Sequence, residues 1–373
     1  MSKKLAFLLV FLLFLSGCAQ IYQIEKLGVI NTLGIDKKEE NEDFHSSFIY
    51  FQFDPESKRI NELVKASSET IYGTIQNANL EANYQLVIGK ARMMVLGRSL
   101  AEEGASQVLD ALNRNAKIPD TLFVTMADGQ ASEVLQSVYD NSTTNAGTYL
   151  EQIIDTNTRQ EIVTRSTLRD FLHQYFTIGL DPVLPMVSIN NGMPKIDKLA
   201  LFRDDKYIGN INTREGFFVK LLTDNYKTGR VQTSVPSEIF KEYKKGVNGG
   251  HAKQLDLVLS EIRSKTKINV QSIEKVKFKI DVKIEGRIME TTDSIKINDE
   301  VMNKLEEEIS KDLSKNLKEL ITKLQELKVD PIGFGHIYNT KRPITDEEWQ
   351  AIYPNMEVDI NIKTKILRHG MIQ

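Results

Sequence analysis

The chain has 373 residues, of which 27% are charged and 41% hydrophobic, and its formal net charge is -3. This composition allows two or three domains with sizeable cores and excludes global disorder. The balanced charge argues against a protein built around nucleic acid. A single Cys excludes an internal disulfide, a multi-Cys zinc site and an iron–sulfur cluster ligated by this chain alone.

The N-terminus has the pattern of a lipoprotein signal peptide. Two lysines precede an apolar run over residues 5–15, which is too short to span a bilayer. The run ends in a bacterial lipobox, Leu15, Ser16, Gly17 and Cys18. We therefore predict removal of residues 1–17 and a covalent diacylglyceryl group on Cys18, with an N-acyl chain such as palmitate as a further option, and no other cofactor. The alternatives are an ordinary signal peptide with an incidental Cys and a short buried N-terminal helix.

Short strands then alternate with helices up to about residue 190, which predicts an α/β or α+β domain. The predicted strands are 27–35, 44–53, 91–96, 121–126 and 182–189. The predicted helices are 67–79, 99–115, 131–139 and 168–176.

Two clusters of turn-forming residues suggest domain boundaries. The first, Asn190–Pro194, is the best linker candidate, and the second covers residues 244–250. Between them, segments 199–202, 216–222 and 231–235 are predicted to be strands of a small sheet. These breaks predict an N-terminal domain at 18–194, a middle domain at 195–250 and a C-terminal domain at 251–373.

The last hundred residues have the clearest periodicity. Apolar residues alternate strictly over 276–284 and again over 358–366, which is typical of half-buried strands. Residues 298–328 have a helical apolar stripe between them. The order predicts a helix laid across its own sheet, although the stripe could instead form a coiled-coil seam. Overall, we predict an α+β fold of three mixed domains with largely antiparallel or mixed sheets, the last with this long amphipathic helix on a sheet.

Motifs for catalysis and metal binding are missing from the sequence. The five histidines have no ligand spacing, and the sequence lacks a phosphate-binding glycine loop and a nucleophile elbow. Ser264 and Lys267, together with residues 227–229, imitate motifs of serine penicillin-binding enzymes, but their order along the chain is reversed. We predict that the chain is not an enzyme and has no metal site.

Several separated segments point to one family. They are residues 27–37, 199–209, 213–215, 330–335, 349–354, 358–362 and 368–370. Together with the lipobox, they resemble the C subunit of bacterial spore germinant receptors, the Ger(x)C lipoproteins. One departure is that the family commonly has Trp-Asp and Arg-Glu pairs just after the lipid-bearing Cys, whereas here only Glu25 matches.

The resemblance implies a membrane-anchored assembly and signalling subunit that is needed for spore germination. Its partners would be two integral membrane subunits, A and B, and membrane lipid, with no nucleic acid. It would lie on the outer face of the cell membrane, and in spores on the inner membrane. The alternatives are a solute-binding lipoprotein of a transporter and an extracytoplasmic hydrolase.

The motif residues that we single out are candidates for subunit contact or for a structural role. They are Glu25, Gly333, Phe334, Gly335, Trp349 and Tyr353. Because Trp349 and Tyr353 are four residues apart, we expect them to pack on one turn of helix. The Gly-Phe-Gly segment is expected to shape the exit of the long helix.

Overall fold

A computed structural model describes residues 24–38, 41–53, 57, 59–141, 145–243, 253–296 and 298–367. The strands are β1 (Leu27–Lys38), β2 (Asn41–Gln52), β3 (Asn61–Ser68), β4 (Gln85–Val87), β5 (Met93–Leu96), β6 (Phe123–Ala127), β7 (Val183–Asn190), β8 (Met193–Arg203), β9 (Lys206–Asn212), β10 (Gly229–Pro236), β11 (Gln254–Ser272), β12 (Lys277–Thr291) and β13 (Glu357–Ile366). The helices are α1 (Ile71–Glu81), α2 (Arg98–Glu103), α3 (Ser106–Asn113), α4 (Ala131–Asn141), α5 (Ala146–Arg159), α6 (Leu168–Tyr175), α7 (Thr213–Thr223), α8 (Asp299–Leu327), α9 (Phe334–Asn339) and α10 (Asp346–Ile352).

The first sheet is mixed. Its described strands lie in the order β3-β2-β1-β5-β6-β7-β8-β9, with β4 paired to the start of β1. The central strands β1, β5, β6 and β7 are parallel, whereas the strands on both flanks pair antiparallel. Parallel strands are usually buried on both faces, and β5 is buried along its whole length.

Helices cover both faces of this sheet. Buried residues of α1, α2, α3 and α6 share one core cluster with the first face, and those of α4 and α5 share another with the second face. The arrangement confirms the predicted α+β class for the N-terminal part of the chain.

The second sheet has the order β10-β11-β12-β13, and α8 lies across one of its faces. The helical stripe is buried against strand residues such as Ile280 and Val282, with Leu313 and Leu317 at most 1% exposed. This confirms packing of the long helix on its own sheet rather than a coiled-coil seam. β12 and β13 are parallel, so α8 is a crossover connection between neighbouring strands.

The predicted linker Asn190–Pro194 is not a linker between separate bodies. Asn190 pairs with Met193, and β7 and β8 form an antiparallel hairpin of the first sheet. Asn191 and Gly192 have φ of 51° and 77°, the left-handed conformation that a tight hairpin turn requires. The three-domain division remains a prediction, but its first boundary falls inside a sheet. The second predicted break, residues 244–250, lies outside the described residues.

Further segments differ from the sequence prediction. Residues 216–222, predicted as a strand, belong to α7, because Asn212 and Glu215 form a capping box that starts a helix. The predicted helix 99–115 is two helices, α2 and α3, separated at Gly104, which has φ of 136°. Helix α5 was not predicted.

Candidate functional site: the Asp330 junction

The predicted lipid-attachment segment lies outside the described residues. This covers Leu15, Ser16, Gly17 and Cys18. Glu25 lies in a 3-10 turn, Ile24–Lys26, that leads into β1, and it is exposed. The remaining motif residues lie far from it in the chain and come together in the interior.

A buried carboxylate organises these residues at the end of α8. We call the cluster formed by Gly179, Asp181, Asp330, Gly333, Gly335 and Trp349 the Asp330 junction. The side chain of Asp330 is fully buried. Its Oδ1 accepts a hydrogen bond from the Gly333 N–H at 2.9 Å, and its Oδ2 accepts from the Gly335 N–H at 2.8 Å and Trp349 Nε1 at 3.1 Å. One side chain therefore fixes both the start of α9 and the indole of α10.

Two glycines let separate backbone segments touch inside the junction. A Cβ on Gly335 would lie 2.5 Å from Trp349 Nε1 and 2.6 Å from the Cα of Gly179. A Cβ on Gly179 would lie 2.4 Å from the Gly335 carbonyl carbon, and the φ of Gly179 is +69°. The His336 N–H donates to the Gly179 carbonyl at 3.0 Å across this contact. The close approach therefore requires glycine on both sides.

Asp181 joins the junction to the first sheet. Its N–H donates to the Asp330 carbonyl at 2.9 Å, and its Oδ2 accepts from the Asp330 N–H at 2.7 Å. The turn between β8 and β9 contributes as well, since the Asp204 N–H donates to Asp181 Oδ1 at 3.3 Å. Next to it, Arg203 donates to the Leu327 carbonyl at the end of α8, at 3.1 Å. The end of the long helix is thus bonded to two segments of the first sheet.

An aromatic cluster closes the junction on the side of the second sheet. The ring centroids of Trp349 and Tyr353 are 5.5 Å apart, so the two side chains pack as their spacing indicates. Phe278 of β12 contacts Phe334 edge-on at 5.1 Å and Trp349 at 6.4 Å. The Tyr353 hydroxyl donates to the Val329 carbonyl at 3.0 Å. These contacts combine apolar burial with satisfied polar groups.

Burial changes the ionisation of the junction. It raises the pKa of Asp330 to about 6 and the pKa of Asp181 to about 7, although backbone N–H groups donate to both carboxylates and oppose the change. Burial also raises the pKa of the Tyr353 hydroxyl well above its usual value. Because the bonds of both carboxylates hold neighbouring backbone, the arrangement fixes structure, and we assign it no chemical step.

Two other segments of the family resemblance supply helix caps. At the end of β1, Asp36 accepts from the N–H groups of Ala131 at 2.7 Å and Ser132 at 2.8 Å, which are the first residues of α4. Glu215 completes the capping box of α7 and forms an ion pair with Lys323 of α8 at 2.9 Å. These motifs therefore join secondary-structure elements that lie far apart in the sequence.

Sequence reasoning missed three residues on which the junction depends. Asp330 lies within the family segment 330–335 but is not among the candidate residues, and neither are Gly179 and Asp181. The segment Gly179-Leu180-Asp181-Pro182 does contain turn-forming residues, which was the available signal. Nothing in its spacing shows that it meets a segment about 150 residues later.

A groove of about 810 Å³ lies between the end of α5, the first half of α7 and strands β10, β11 and β12 of the second sheet. Its lining includes Arg159, Arg214 and Arg230, together with Glu161 and Glu261. In the described portion of the chain, no group of three or more His, Cys, Asp or Glu residues could hold a metal ion.

Two family profiles match the chain, one on each side of the hairpin between β7 and β8. Residues 21–189 match the profile described as "Spore germination protein N-terminal domain", and residues 197–370 match "Spore germination B3/ GerAC like, C-terminal". The chain belongs to the Ger(x)C family of spore germination proteins. This confirms the resemblance seen in the sequence. Proteins of the Ger(x)C family are non-enzymatic components, in agreement with the predicted lack of an activity.

Relatives match the Ger(x)C chain along most of its length. It is 22% identical to the spore germination protein GerQC of Bacillus cereus, over 100% of both chains. It is also 22% identical to the spore germination protein KC of Bacillus subtilis (strain 168), over 96% of this chain and 93% of that protein. The crystal structure of the GerBC protein superposes with a TM-score of 0.55 at 16% identity, covering 90% of this chain and 97% of that chain. This last likeness confirms the fold.

Proposed function

We propose that the chain is the lipid-anchored C subunit of a nutrient germinant receptor and that it assembles with two integral membrane subunits, A and B. It would lie on the outer face of the cell membrane and, in spores, on the inner membrane. The full-length similarity to spore germination proteins supports the receptor role. The lipobox supports anchoring, and no helix of the described ranges is long and apolar enough to cross a membrane.

The observation that carries the proposal is the match to spore germination proteins over both halves of the chain, and the Asp330 junction is what the motif residues build in the fold. Four segments of the family resemblance, 199–209, 213–215, 330–335 and 349–354, have contacts at or beside the end of α8, and these contacts bind the two sheets together. Such a body suits a subunit that assembles with others and transmits a change between surfaces, because the relative position of its two sheets is fixed by hydrogen bonds and close packing.

The deciding experiment compares Cys18→Ala with Ser16→Ala in spores that lack other copies of the subunit. Cys18→Ala removes the thiol that would carry the lipid, whereas Ser16→Ala keeps a small residue in the lipobox. We expect Cys18→Ala to abolish partitioning of the protein into the detergent phase and to impair germination by nutrients, with sporulation intact. Ser16→Ala should behave like the wild type. Normal germination and normal partitioning of Cys18→Ala would contradict the proposal.

Assembly with partners is tested separately by purification from spore membranes. Wild-type protein is expected to bring down two integral membrane subunits. Its isolation without these subunits, from the membranes of spores that germinate normally, would contradict the assembly role.

The transporter alternative is less well supported by the geometry. A two-lobed solute-binding protein needs parallel β-α-β repeats in both lobes, whereas the second sheet has one parallel pair among its described strands, β12 and β13. A thermal-shift screen with amino acids and sugars distinguishes the two functions. A solute bound at one hundred times its Kd would stabilise the folded chain by about 2.7 kcal/mol.

A further inference from the structure

One end of the first sheet presents a set of exposed apolar side chains, which we call the anchor-side patch (Ile24, Phe53, Ile60 and Leu80). Their exposed fractions are 52% for Ile24, 38% for Phe53, 51% for Ile60 and 85% for Leu80. Single exposed apolar residues are ordinary on protein surfaces, and others occur elsewhere on this chain. Exposure alone therefore does not identify a binding surface, and the position of these four decides the matter.

The register of the strands places Phe53 and Ile60 at the end of the sheet where β1 begins. Gly28, the second residue of β1, pairs with Gln52, so Phe53 follows at the same end. The Gln52 N–H donates to the Ile60 carbonyl at 3.1 Å, which brings the start of β3 to this end as well. Ile24 lies in the turn just before β1.

Leu80 reaches the same end from the last turn of α1. Its neighbour Asn79 accepts a hydrogen bond from the Leu86 N–H at 2.8 Å. Leu86 belongs to β4, which starts beside β1 with Leu27 paired to Gln85. The four side chains thus come from four segments but share one end of the sheet.

The predicted lipid is attached close to this end. Only residues 19–23 separate Cys18 from Ile24. At about 3.6 Å per residue, the two Cα atoms can be at most about 22 Å apart. Since the acyl chains on Cys18 would lie in the bilayer, the tether would hold this end of the sheet near the lipid headgroups at a high effective concentration.

We propose that the anchor-side patch rests on the phospholipid bilayer, with its apolar side chains in the headgroup region, and so fixes the orientation of the body on the membrane. The proposal rests on the lipid attachment in the proposed function. Among the described residues, the charged ones that adjoin a patch residue in the sequence, singly or as an unbroken run, are two acidic and two basic, Glu25, Lys26, Arg59 and Glu81. Because these charges balance, contact is expected on neutral lipid and should persist at high salt.

The test uses the full chain, acylated on Cys18 and reconstituted in phosphatidylcholine vesicles. Since Cys18 is the only native Cys, Leu80→Cys supplies a unique free thiol for an environment-sensitive fluorophore. Tyr72→Cys is the matched control, because Tyr72 is 63% exposed and lies eight residues earlier on α1. Eight residues of helix correspond to about 12 Å, so the control probe should stay in water.

The expected result is a blue shift at position 80 and several-fold stronger quenching there by nitroxide-labelled phospholipid than at position 72, unchanged at high salt. Ile60→Cys should behave like Leu80→Cys. Equal quenching at positions 72 and 80 in vesicle-bound protein would overturn the patch and leave the lipid anchor intact. Quenching that disappears at high salt would overturn it too. Protein that does not associate with vesicles at all would overturn both the patch and the anchor.

Discussion

The contact between Gly335 and Gly179 makes Gly335→Ala the sharpest test of the junction. A new Cβ would lie 2.5 Å from Trp349 Nε1 and 2.6 Å from the Cα of Gly179, whereas ordinary contacts are about 3.4–4 Å. Relief requires a shift of about 1 Å in backbone that is buried on both sides. Overpacking of this kind costs about 1–3 kcal/mol. The shift would also weaken the bonds from Gly335 N–H to Asp330 and from His336 N–H to Gly179, at about 1 kcal/mol each.

We therefore expect Gly335→Ala to lower the free energy of unfolding by about 3–5 kcal/mol. The assay is urea denaturation followed by the fluorescence of Trp349, which is the single Trp of the chain and only 1% exposed. The control is Gly209→Ala, whose Cβ would meet Leu327 at 3.6 Å, an ordinary contact. Its effect should be within about 1 kcal/mol of zero. Equal stability of the two variants would refute the steric argument.

Three other predictions concern the same region, each measured by urea denaturation. Burial raises the pKa of Asp181 to about 7 and of Asp330 to about 6, from a usual 3.8, so the folded chain binds protons between about pH 4 and 7 that the unfolded chain has released. The contribution of these two carboxyl groups to the free energy of unfolding should therefore fall as the pH rises through this range. Asp181→Asn should flatten this pH dependence of stability, and an unchanged pH dependence would contradict the raised pKa of Asp181. Glu215→Ala, which removes the Glu215 half of the capping box and the ion pair with Lys323, should cost about 1–2 kcal/mol, whereas Glu215→Gln, which loses the ion pair but can keep the capping bond, should cost less; equal costs would deny the capping bond a role, and no cost for Glu215→Gln would deny the ion pair one. Tyr353→Phe should cost about 1–2 kcal/mol through its lost hydrogen bond, and no loss would show that the bond contributes nothing.

The elements with a sustained hydrophobic periodicity were predictable from the sequence. The alternation of β12 and β13 and the apolar stripe of α8 predicted a helix on a sheet, because one face of each element needs covering. The strands β1, β2, β5, β6 and β7 were also predicted. The pairing of Trp349 with Tyr353 followed from their spacing on a helical turn.

Contacts between segments far apart in the sequence could not be predicted. The turn formers of Asn190–Pro194 suit a linker and a hairpin equally well, and only the pairing of β7 with β8 decides between them. Segment 216–222 is apolar enough for a buried strand, and the capping box before it was the overlooked signal. The role of Asp330 depends on Gly179 and Asp181, which no local pattern connects to it.

The hairpin of β7 and β8 crosses the boundary between the two family profiles, so that boundary does not coincide with the end of the first sheet. The first family profile ends at residue 189, but the first sheet continues through β8 and β9 to Asn212. A fragment cut at the profile boundary would leave β7 as an unpaired edge, with its buried residues Leu184 and Met186 uncovered, a known route to aggregation. Chimaeras between paralogous subunits should therefore be joined after Asn212, where the sheet is complete.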